Sequence, residues 1–225
     1  MLAERTGVPI GIKSAVGDNT FWSELAEQMK TSNRGVDYIA VDGGEGGTGA
    51  GPLVFTDHVA LPFKLGFVRV YREFFQRDLH QNVVFVGTGK LGFPEATVLA
   101  FALGCDMVAL AREPMMAIGC IQAQKCHTGH CPTGVATQSK WLMRGLDPTD
   151  KSARMANYMT ALRKEIIAVS RACGLPHPAF MTGDHCEIID ERFGCKTLSD
   201  VFELDVDAGW GLPNSQQLEA IEKLM

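Results

Sequence analysis

The sequence predicts an α/β fold in which parallel strands alternate with helices. Four short apolar segments are each followed by a segment with helical spacing or by a loop rich in polar residues. Successive strand–helix units imply parallel strands joined by right-handed crossovers. A (β/α)8 barrel and a doubly wound sheet both fit this order, and both bind ligands at the carboxyl ends of their strands.

The first two strands are predicted at Val8–Lys13, which we expect to be buried, and at Val36–Asp42. Between them, apolar residues at helical spacing predict a helix over Thr20–Ser32, with Asn19 or Thr20 as its N-cap. Lys13 is the last residue of the first predicted strand. We therefore expect its ammonium group at the edge of the sheet where ligands bind, with a lysine that merely extends into solvent as the alternative.

The next two strands are predicted at Val83–Val86 and Asp106–Leu110, with helices over Leu65–Leu79 and Pro94–Leu103. Proline at the start of the second of these helices is typical of a first helical turn. The pattern then changes. One long amphipathic helix is predicted over Asp150–Cys173, residues 183–213 are rich in loops, and a terminal helix is predicted over Asn214–Met225.

Composition narrows the class of protein. The 225 residues are 46% hydrophobic, which is enough for a sizeable core. The net charge is −5 and no cluster of Lys and Arg stands out, so a nucleic-acid partner is not expected. An apolar run of about 18 residues, which would predict a membrane span, is missing. The start of the sequence resembles no secretion signal, so we predict a cytoplasmic protein.

Three cysteines, Cys120, Cys126 and Cys131, follow one another with the spacing C-x5-C-x4-C. Thiolates favour iron–sulfur clusters or zinc, and three of them suit a cluster that lacks one corner. A zinc site that adds His127 or His130 is the second interpretation, and three unliganded cysteines are the third. The remaining four cysteines show no paired framework, so structural disulfides are not expected.

Two glycine-containing segments follow the second and third strands. The segment Asp42–Gly51 is dense in glycine, which lets a backbone approach a planar ligand closely, although a flexible loop has the same composition. The segment Gly87–Lys90 predicts a phosphate-binding turn. It is not a Walker A motif, because Leu91 stands where Ser or Thr is required. Ala111–Arg112, after the fourth strand, would lie beside it and add a charged donor.

Four segments, IGIKSAVGD, YIAVDGGEGGTGAGP, VVFVGTGKLGFPEA and GCIQAQKCHTGHCPTGVATQ, resemble the FMN-binding synthase domain of glutamate synthase, especially in the stand-alone glutamate synthase-related proteins. The resemblance implies a (β/α)8 TIM barrel, of which this chain supplies roughly the second half, about four βα units. It also implies a division of the chain. Residues 1–140 would form the partial barrel, with its iron–sulfur loop at 119–138, and residues 141–225 a helical C-terminal extension.

The resemblance also implies roles for single residues. Lys13 would be catalytic and lie beside the flavin. The loop that lines the flavin and the substrate would contain Asp42, Gly43, Gly44, Gly47, Thr48 and Gly49. Two phosphate-holding turns would contain Gly87, Gly89, Ala111 and Arg112. A [3Fe-4S] cluster would be held by Cys120, Cys126 and Cys131.

The reaction implied by the resemblance is the reduction of 2-iminoglutarate, formed from 2-oxoglutarate and ammonia, to glutamate. A reductase or a ferredoxin would supply the electrons. A flavin suits this reaction, since it exchanges single electrons with a cluster and a hydride with an organic acceptor. Four strands leave two edges that invite pairing, so we expect a homo-oligomer or a missing barrel half. The alternatives are a non-catalytic electron-transfer or cluster-carrying module, an inactive partial barrel, and a zinc-stabilised binding domain.

Overall fold

The computed structural model of this chain describes residues 2–32, 34–46, 53–55, 59–192 and 194–224. Its strands are β1 (Gly11–Ala15), β2 (Tyr38–Asp42), β3 (Val84–Thr88), β4 (Met107–Ala109), β5 (Glu187–Asp190) and β6 (Gly194–Thr197). Its α-helices are α1 (Leu2–Thr6), α2 (Thr20–Thr31), α3 (Phe63–Phe75), α4 (Pro94–Ala102), α5 (Arg112–Ala117), α6 (Pro148–Ala172), α7 (Leu198–Phe202) and α8 (Ser215–Glu222).

Strands β1 to β4 form one parallel sheet in which the order of the strands follows the chain. The predicted α/β alternation is therefore confirmed. In the register of the sheet, Asp42 at the end of β2 is paired with Thr88 at the end of β3, and Thr88 is paired with Ala109 at the end of β4. The segments that follow these three strands consequently emerge side by side at one edge.

Helix α3 covers one face of the sheet with an apolar stripe. Phe67, Val70 and Phe74 are buried at spacings of three and four residues, the repeat of a helix that packs on a core. The ring of Phe85 in β3 lies 6.1 Å from that of Phe67 and 5.5 Å from that of Phe74, both edge-to-face. Such pairs add about 0.5–1.5 kcal/mol each to the burial of their area. The helix is thereby fastened to the middle of the sheet.

The opposite face of the sheet has no helix over it among the described residues. Tyr38, Val84 and Met107 lie on this face with 38%, 40% and 57% of their surface exposed. Their chain neighbours Ile39 and Phe85 are fully buried on the helical face. Since successive side chains of a strand point to opposite faces, the sheet has one covered face and one open, largely apolar face.

The C-terminal residues share the core of the sheet and its helices. The indole Nε1 of Trp210 donates a hydrogen bond of 2.9 Å to the backbone oxygen of Leu103, next to the end of α4. The ring of Trp210 packs 4.8 Å from the ring of Tyr71 and 4.9 Å from that of Phe75 in α3. The predicted division at residue 140 stays a prediction, but residues on both sides of it contribute to one hydrophobic cluster.

We expect Trp210→Phe to lower the free energy of unfolding by about 1–3 kcal/mol, because it keeps a buried ring but leaves the Leu103 carbonyl without its donor. Urea unfolding of the purified chain measures this change. Trp141→Phe is the matched control, since Trp141 is exposed and its loss should change stability by less than about 0.5 kcal/mol. Equal effects of the two substitutions would contradict the assigned role of the hydrogen bond.

Strand β1 differs from its prediction. The strand was expected at Val8–Lys13 and buried, but it begins at Gly11 and most of its residues are exposed. Pro9 lacks the N–H group that a ladder needs, and Ile10 instead exchanges hydrogen bonds with Asp37 before the strand begins. Lys13 therefore lies in the middle of β1, paired with Ala40, and not at the end of the strand. The strand is exposed because it forms the edge of the sheet.

The longer predicted elements agree with the structure to within a few residues. Helices α2, α3, α4, α6 and α8 all overlap the helices expected from apolar periodicity. The short helices α5 and α7 and the antiparallel pair β5 and β6 were not predicted, because they are too short to show a period. Among the described residues, no helix has the length and apolar character that a membrane crossing requires.

Candidate active site

The loop after β2 is held in place by its own backbone. The N–H of Gly43 donates to the oxygen of Thr88 at the end of β3, at 2.8 Å, and the N–H of Gly44 donates to the oxygen of Leu61, at 2.8 Å. A tight turn follows, in which the N–H of Gly46 donates to the oxygen of Gly43 at 2.9 Å. The loop is thus tied to the next strand and to the segment that enters α3. Gly47, Thr48 and Gly49 lie outside the described residues.

Glu45 fixes the same loop to a helix terminus. Its carboxylate oxygens accept hydrogen bonds of 3.0 and 2.8 Å from the backbone N–H of Phe63, the first residue of α3. This N–H has no partner within the helix, and a negative charge near a helix N-terminus is favourable. Glu45 lies in the predicted glycine-rich segment Asp42–Gly51, but no role was expected for its side chain. Its capping contact depends on a residue far along the chain and has no local signal.

The turns after β2 and β3 touch through glycine backbone. A Cβ atom on Gly46 would lie 3.1 Å from the Cα of Gly89, and one on Gly89 would lie 3.2 Å from the Cα of Gly43. Gly89 also has a φ of 129°, which residues with side chains rarely adopt. Glycine is therefore required here so that the two turns can approach each other.

Gly87 is placed differently from its prediction as part of a phosphate-holding turn. It lies inside β3 and is buried, and a Cβ atom there would be 2.8 Å from Sγ of Cys105 and 2.8 Å from Cζ of Phe63. The structure thus gives Gly87 a packing role under α3. In the described part of the chain, the turn itself begins at Gly89 and continues through Lys90, whose φ is 53°.

Arg112 connects the segment after β4 to the loop after β2 (residues 43–46), called the glycine loop below. It is the first residue of α5, directly after Ala111, and its Nη2 donates a hydrogen bond of 2.9 Å to the backbone oxygen of Gly46. The segments after β2, β3 and β4 are therefore in mutual contact. This contact brings together Asp42, Gly89, Ala111 and Arg112, four of the residues that the sequence assigned to cofactor binding.

Lys13 reaches this edge from the open face of the sheet. Its Nζ forms an ion pair with Oδ2 of Asp42 on the neighbouring strand. The side chain of Lys13 remains 57% exposed, so the pair is screened by solvent and adds little to stability. Its consequence is local: it fixes a cation at the end of β2, beside the glycine loop.

The cysteine segment folds over the same edge. Cys120 follows α5, Cys126 begins a 3-10 turn that ends at Thr128, and Cys131 is the most buried of the three, with 6% of its surface exposed. Gln122 and Gln124 have φ values of 54° and 52°, a left-handed conformation uncommon outside glycine. Backbone conformations of this kind concentrate at functional sites.

Hydrogen bonds lower the pKa of the Cys131 thiol. Burial raises this pKa, but the hydroxyl of Thr133, 3.4 Å from the sulfur, and the backbone N–H groups of Ala136, Thr133 and Val135 outweigh the burial and bring the pKa to about 7. The ordinary value is about 8.5. The thiolate is the form that binds metals, so this environment favours the ligand state.

In metal-free protein, we expect Thr133→Val to raise the pKa of Cys131 towards about 8.5, because the variant removes the hydroxyl donor to the thiolate. Alkylation of the Cys131 peptide across a pH series, followed by mass spectrometry, gives the midpoint directly. Thr160→Val on the exposed side of α6 is the control and should leave that midpoint near 7. An unchanged midpoint in Thr133→Val would contradict the assigned cause.

All these segments line one cavity of about 340 Å3. Of the residues assigned from sequence, the cavity wall contains Lys13, Asp42, Gly89, Ala111 and Arg112 together with all three cysteines. Gly43, Gly44 and Gly87 are not among the residues that line it. The wall also contains Lys90, which belongs to the predicted phosphate-binding turn, and Gln122, Gln124 and Lys125, for which no cavity role was predicted. The polarity of these side chains was visible, but their position beside the strand ends was not.

The residues around the cavity fit a flavin phosphate and a cluster by their chemistry. Lys90 and Arg112 are cations beside a glycine turn, a combination suited to phosphate. The three cysteines are free thiols, the donor set that iron–sulfur clusters and zinc require. As placed in the described part of the chain, no three His, Cys, Asp or Glu side chains form a group that could hold a metal ion. Ligand binding would have to draw the thiols together, as metal binding commonly does.

Residues 3–175 match a family described as a conserved region in glutamate synthase. The chain belongs to the glutamate synthase family. The match covers the parallel sheet, the cavity residues and the cysteine segment. The family resemblance read from the four sequence segments is therefore confirmed.

Individual relatives agree with this assignment. The chain is 36% identical to the glutamate synthase large subunit-like protein YerD of Bacillus subtilis, over 79% of this chain and 34% of the relative. It is 33% identical to an archaeal glutamate synthase [NADPH] of Methanocaldococcus jannaschii, over 77% of this chain and 33% of the relative. It is 32% identical to a ferredoxin-dependent glutamate synthase of Cyanidium caldarium, over 72% of this chain and 10% of the relative. The chain thus spans about a third of the length of the first two of these relatives.

Proposed function

We propose that this chain is part of a flavin- and iron–sulfur-dependent oxidoreductase of the glutamate synthase type. Its reaction would be the reduction of 2-iminoglutarate, derived from 2-oxoglutarate and ammonia, to glutamate. The observation that carries this proposal is the common cavity of Lys13, Arg112 and the three cysteines at the carboxyl edge of a parallel sheet. FMN and a [3Fe-4S] cluster are the proposed cofactors. When bound, they would convert single-electron transfer into hydride transfer to an organic acceptor.

The turns after β3 and β4 are the proposed binding site of the FMN phosphate. Gly89 exposes backbone without a side chain, and Lys90 and Arg112 supply positive charge at the cavity wall. Arg112 is oriented by its hydrogen bond to Gly46, so its guanidinium group is held against the glycine loop. A guanidinium group in a fixed position binds phosphate with both charge and direction.

Lys13 is the proposed electrostatic partner of the reduced flavin. Its ammonium group is anchored by Asp42 and faces the cavity, so a cation is present before the reaction begins. Preorganised charge of this kind stabilises a negative charge that develops nearby. In the same site, Cys120, Cys126 and Cys131 are proposed to hold the cluster.

The open face of the sheet supports the proposal that the chain is part of a (β/α)8 barrel. Tyr38, Val84 and Met107 are exposed on this face, and β1 and β4 are edge strands in the described sheet. Further strands, supplied by the missing barrel half or by a second copy, would cover the face and pair with these edges. A stable monomer in sedimentation that nevertheless binds FMN tightly would contradict this proposal.

Partners follow from the same proposal. A reductase or a ferredoxin is the proposed electron donor, because relatives of this chain are named for NADPH and for ferredoxin. The small substrate would be 2-oxoglutarate or its imine. A cytoplasmic location and the lack of a nucleic-acid partner stay predictions.

The absorption spectrum of protein purified without oxygen, combined with metal analysis, tests the proposed function. We expect flavin bands together with a broad iron–sulfur shoulder and iron, but no zinc. A shoulder without flavin bands would instead indicate a cluster-carrying electron-transfer module. Colourless protein that contains zinc would indicate a zinc-stabilised binding domain. Either of these results would overturn the proposed reaction.

A further inference from the structure

Helix α6 packs against α4 and α5, but part of its apolar stripe remains outside these contacts. It is 25 residues long, yet only Leu162 and Ser170 are buried. Met155, Met159 and Ile166 continue the stripe of Leu162 along one side of the helix, at spacings of three and four residues, and Met159 is 45% exposed. A helix of a folded protein normally buries such a stripe against a neighbour. The exposed Met159 marks a part of the stripe that its neighbours leave accessible.

The stripe forms one wall of a groove of about 780 Å3. The opposite wall contains Phe101 of α4, and the floor contains Val108 of β4 and the adjacent Leu110. These three side chains are only partly buried. Beyond β4 the sheet has no further strand among the described residues. The groove lies at this edge of the sheet, beside the contact between α4 and α6.

The charged residues described in the lining of the groove are all positive. Arg163 and Arg171 of α6 lie on its wall, about 12 Å apart along the helix axis, and none of the described lining residues is acidic. Burial lowers the pKa of His177, the remaining titratable residue of the wall, so this imidazole adds no charge near neutral pH. An occupant would therefore meet an apolar floor and a cationic side.

We propose that this groove binds an amphipathic helix whose apolar stripe is flanked by carboxylates. From Met155 to Arg171 the groove side of α6 is about 24 Å long, which matches about four turns of a partner helix. Apolar side chains of the partner would pack along the groove that α4 and α6 line, and its Asp or Glu side chains would pair with the two arginines. Methionine adapts its shape to a partner, which suits a docking surface. This inference does not depend on the flavin or the cluster.

Two synthetic peptides of about 17 residues test the proposal. Both carry leucine at positions i, i+3, i+4 and i+7, and they differ only in flanking glutamate or lysine. Fluorescence anisotropy with the purified chain measures their binding. We expect the glutamate peptide to bind at least about tenfold more tightly than the lysine peptide, and its affinity to fall with added salt. Equal affinity of the two peptides, or no binding of either, would overturn the proposal.

Matched variants distinguish an effect of the groove on peptide binding from an effect of the protein's net charge. The double variant Arg163→Glu with Arg171→Glu should reverse the preference between the peptides. The control is Arg154→Glu with Lys164→Glu, which makes the same charge change on exposed positions of α6 outside the groove and should preserve the preference. Identical behaviour of the two double variants would show that only net charge matters, against the proposal.

A second pair of variants tests the apolar contact. Met159→Gln in the groove should weaken the glutamate peptide several-fold, whereas Met143→Gln, at an exposed position away from the groove, should not. Circular dichroism of each variant checks that α6 remains folded.

Two other results would overturn the proposal. Tight binding of dodecanoate without selectivity between the peptides would instead indicate a site for a small anionic amphiphile. A dimer that the arginine variant dissociates, without peptide binding, would overturn the proposal in favour of self-association.

Discussion

Cys131→Ser is expected to remove iron and acid-labile sulfide from protein prepared without oxygen. Cys131 is the most buried of the three proposed ligands, and hydrogen bonds bring the pKa of its thiol to about 7, which prepares the thiolate for metal binding. Serine keeps the size of the side chain but is a poor ligand for iron. Removal of a residue that only hydrogen-bonds to a metal ligand lowers metal affinity about tenfold or more, and removal of the ligand itself should lower it further. Iron and sulfide analysis together with the visible spectrum measures this change.

Cys195→Ser is the matched control for the cluster prediction. Cys195 is an exposed free thiol in β6 and does not line the cavity. The control should retain iron, sulfide and the iron–sulfur shoulder at the level of the unchanged chain. If Cys131→Ser also retained them, Cys131 would not be a ligand, and the proposed cluster would need another donor.

The second large effect is expected for Gly89→Val, which should weaken FMN binding about ten- to a hundredfold. Valine at a φ of 129° is strained, and its Cβ would lie 3.2 Å from the Cα and N atoms of Gly43. Strain of this kind costs about 1–3 kcal/mol, and each 1.4 kcal/mol corresponds to about a tenfold change in affinity. The two turns would separate, and the proposed phosphate site would lose its shape. Flavin fluorescence titration measures the affinity.

Gly17→Val is the control variant for Gly89→Val. Gly17 is exposed after β1, its φ is not positive, and an added Cβ meets no atom within 4 Å. FMN affinity should therefore stay within about twofold of the unchanged chain. Thermal unfolding of both variants separates a lost site from a lost fold. If a folded Gly89→Val protein bound FMN with unaltered affinity, the turn after β3 would not be part of the proposed cofactor site.

Much of the fold and part of the site follow from local sequence patterns. Helices such as α3 are long enough to show an apolar period, and the three cysteines have a spacing that is visible without any structure. The position of Gly87 could not be read in the same way. Whether a glycine ends a strand or lies inside it depends on the register with the neighbouring strands, and a shift of one residue changes the face on which a residue lies.

Contacts between segments distant in the chain could also not be predicted from the sequence. The bond from Phe63 to Glu45 joins residues 18 positions apart, and the bond from Arg112 to Gly46 joins residues 66 positions apart. Neither pair has a local motif, because the partners become neighbours only when parallel strands align. The misplaced start of β1 has a related cause: the exchange between Ile10 and Asp37 delays the ladder until Gly11.

The sequence by itself determined the order of strands and helices, the residues that follow each strand, and the family to which the chain belongs. Only the tertiary structure decided that Lys13, Arg112 and the cysteines line one cavity, and that one face of the sheet and the side of α6 remain open. The physical reason is that periodicity and motifs are properties of neighbouring residues. A shared cavity or an exposed face instead depends on strand register and helix packing, which join residues far apart in the chain.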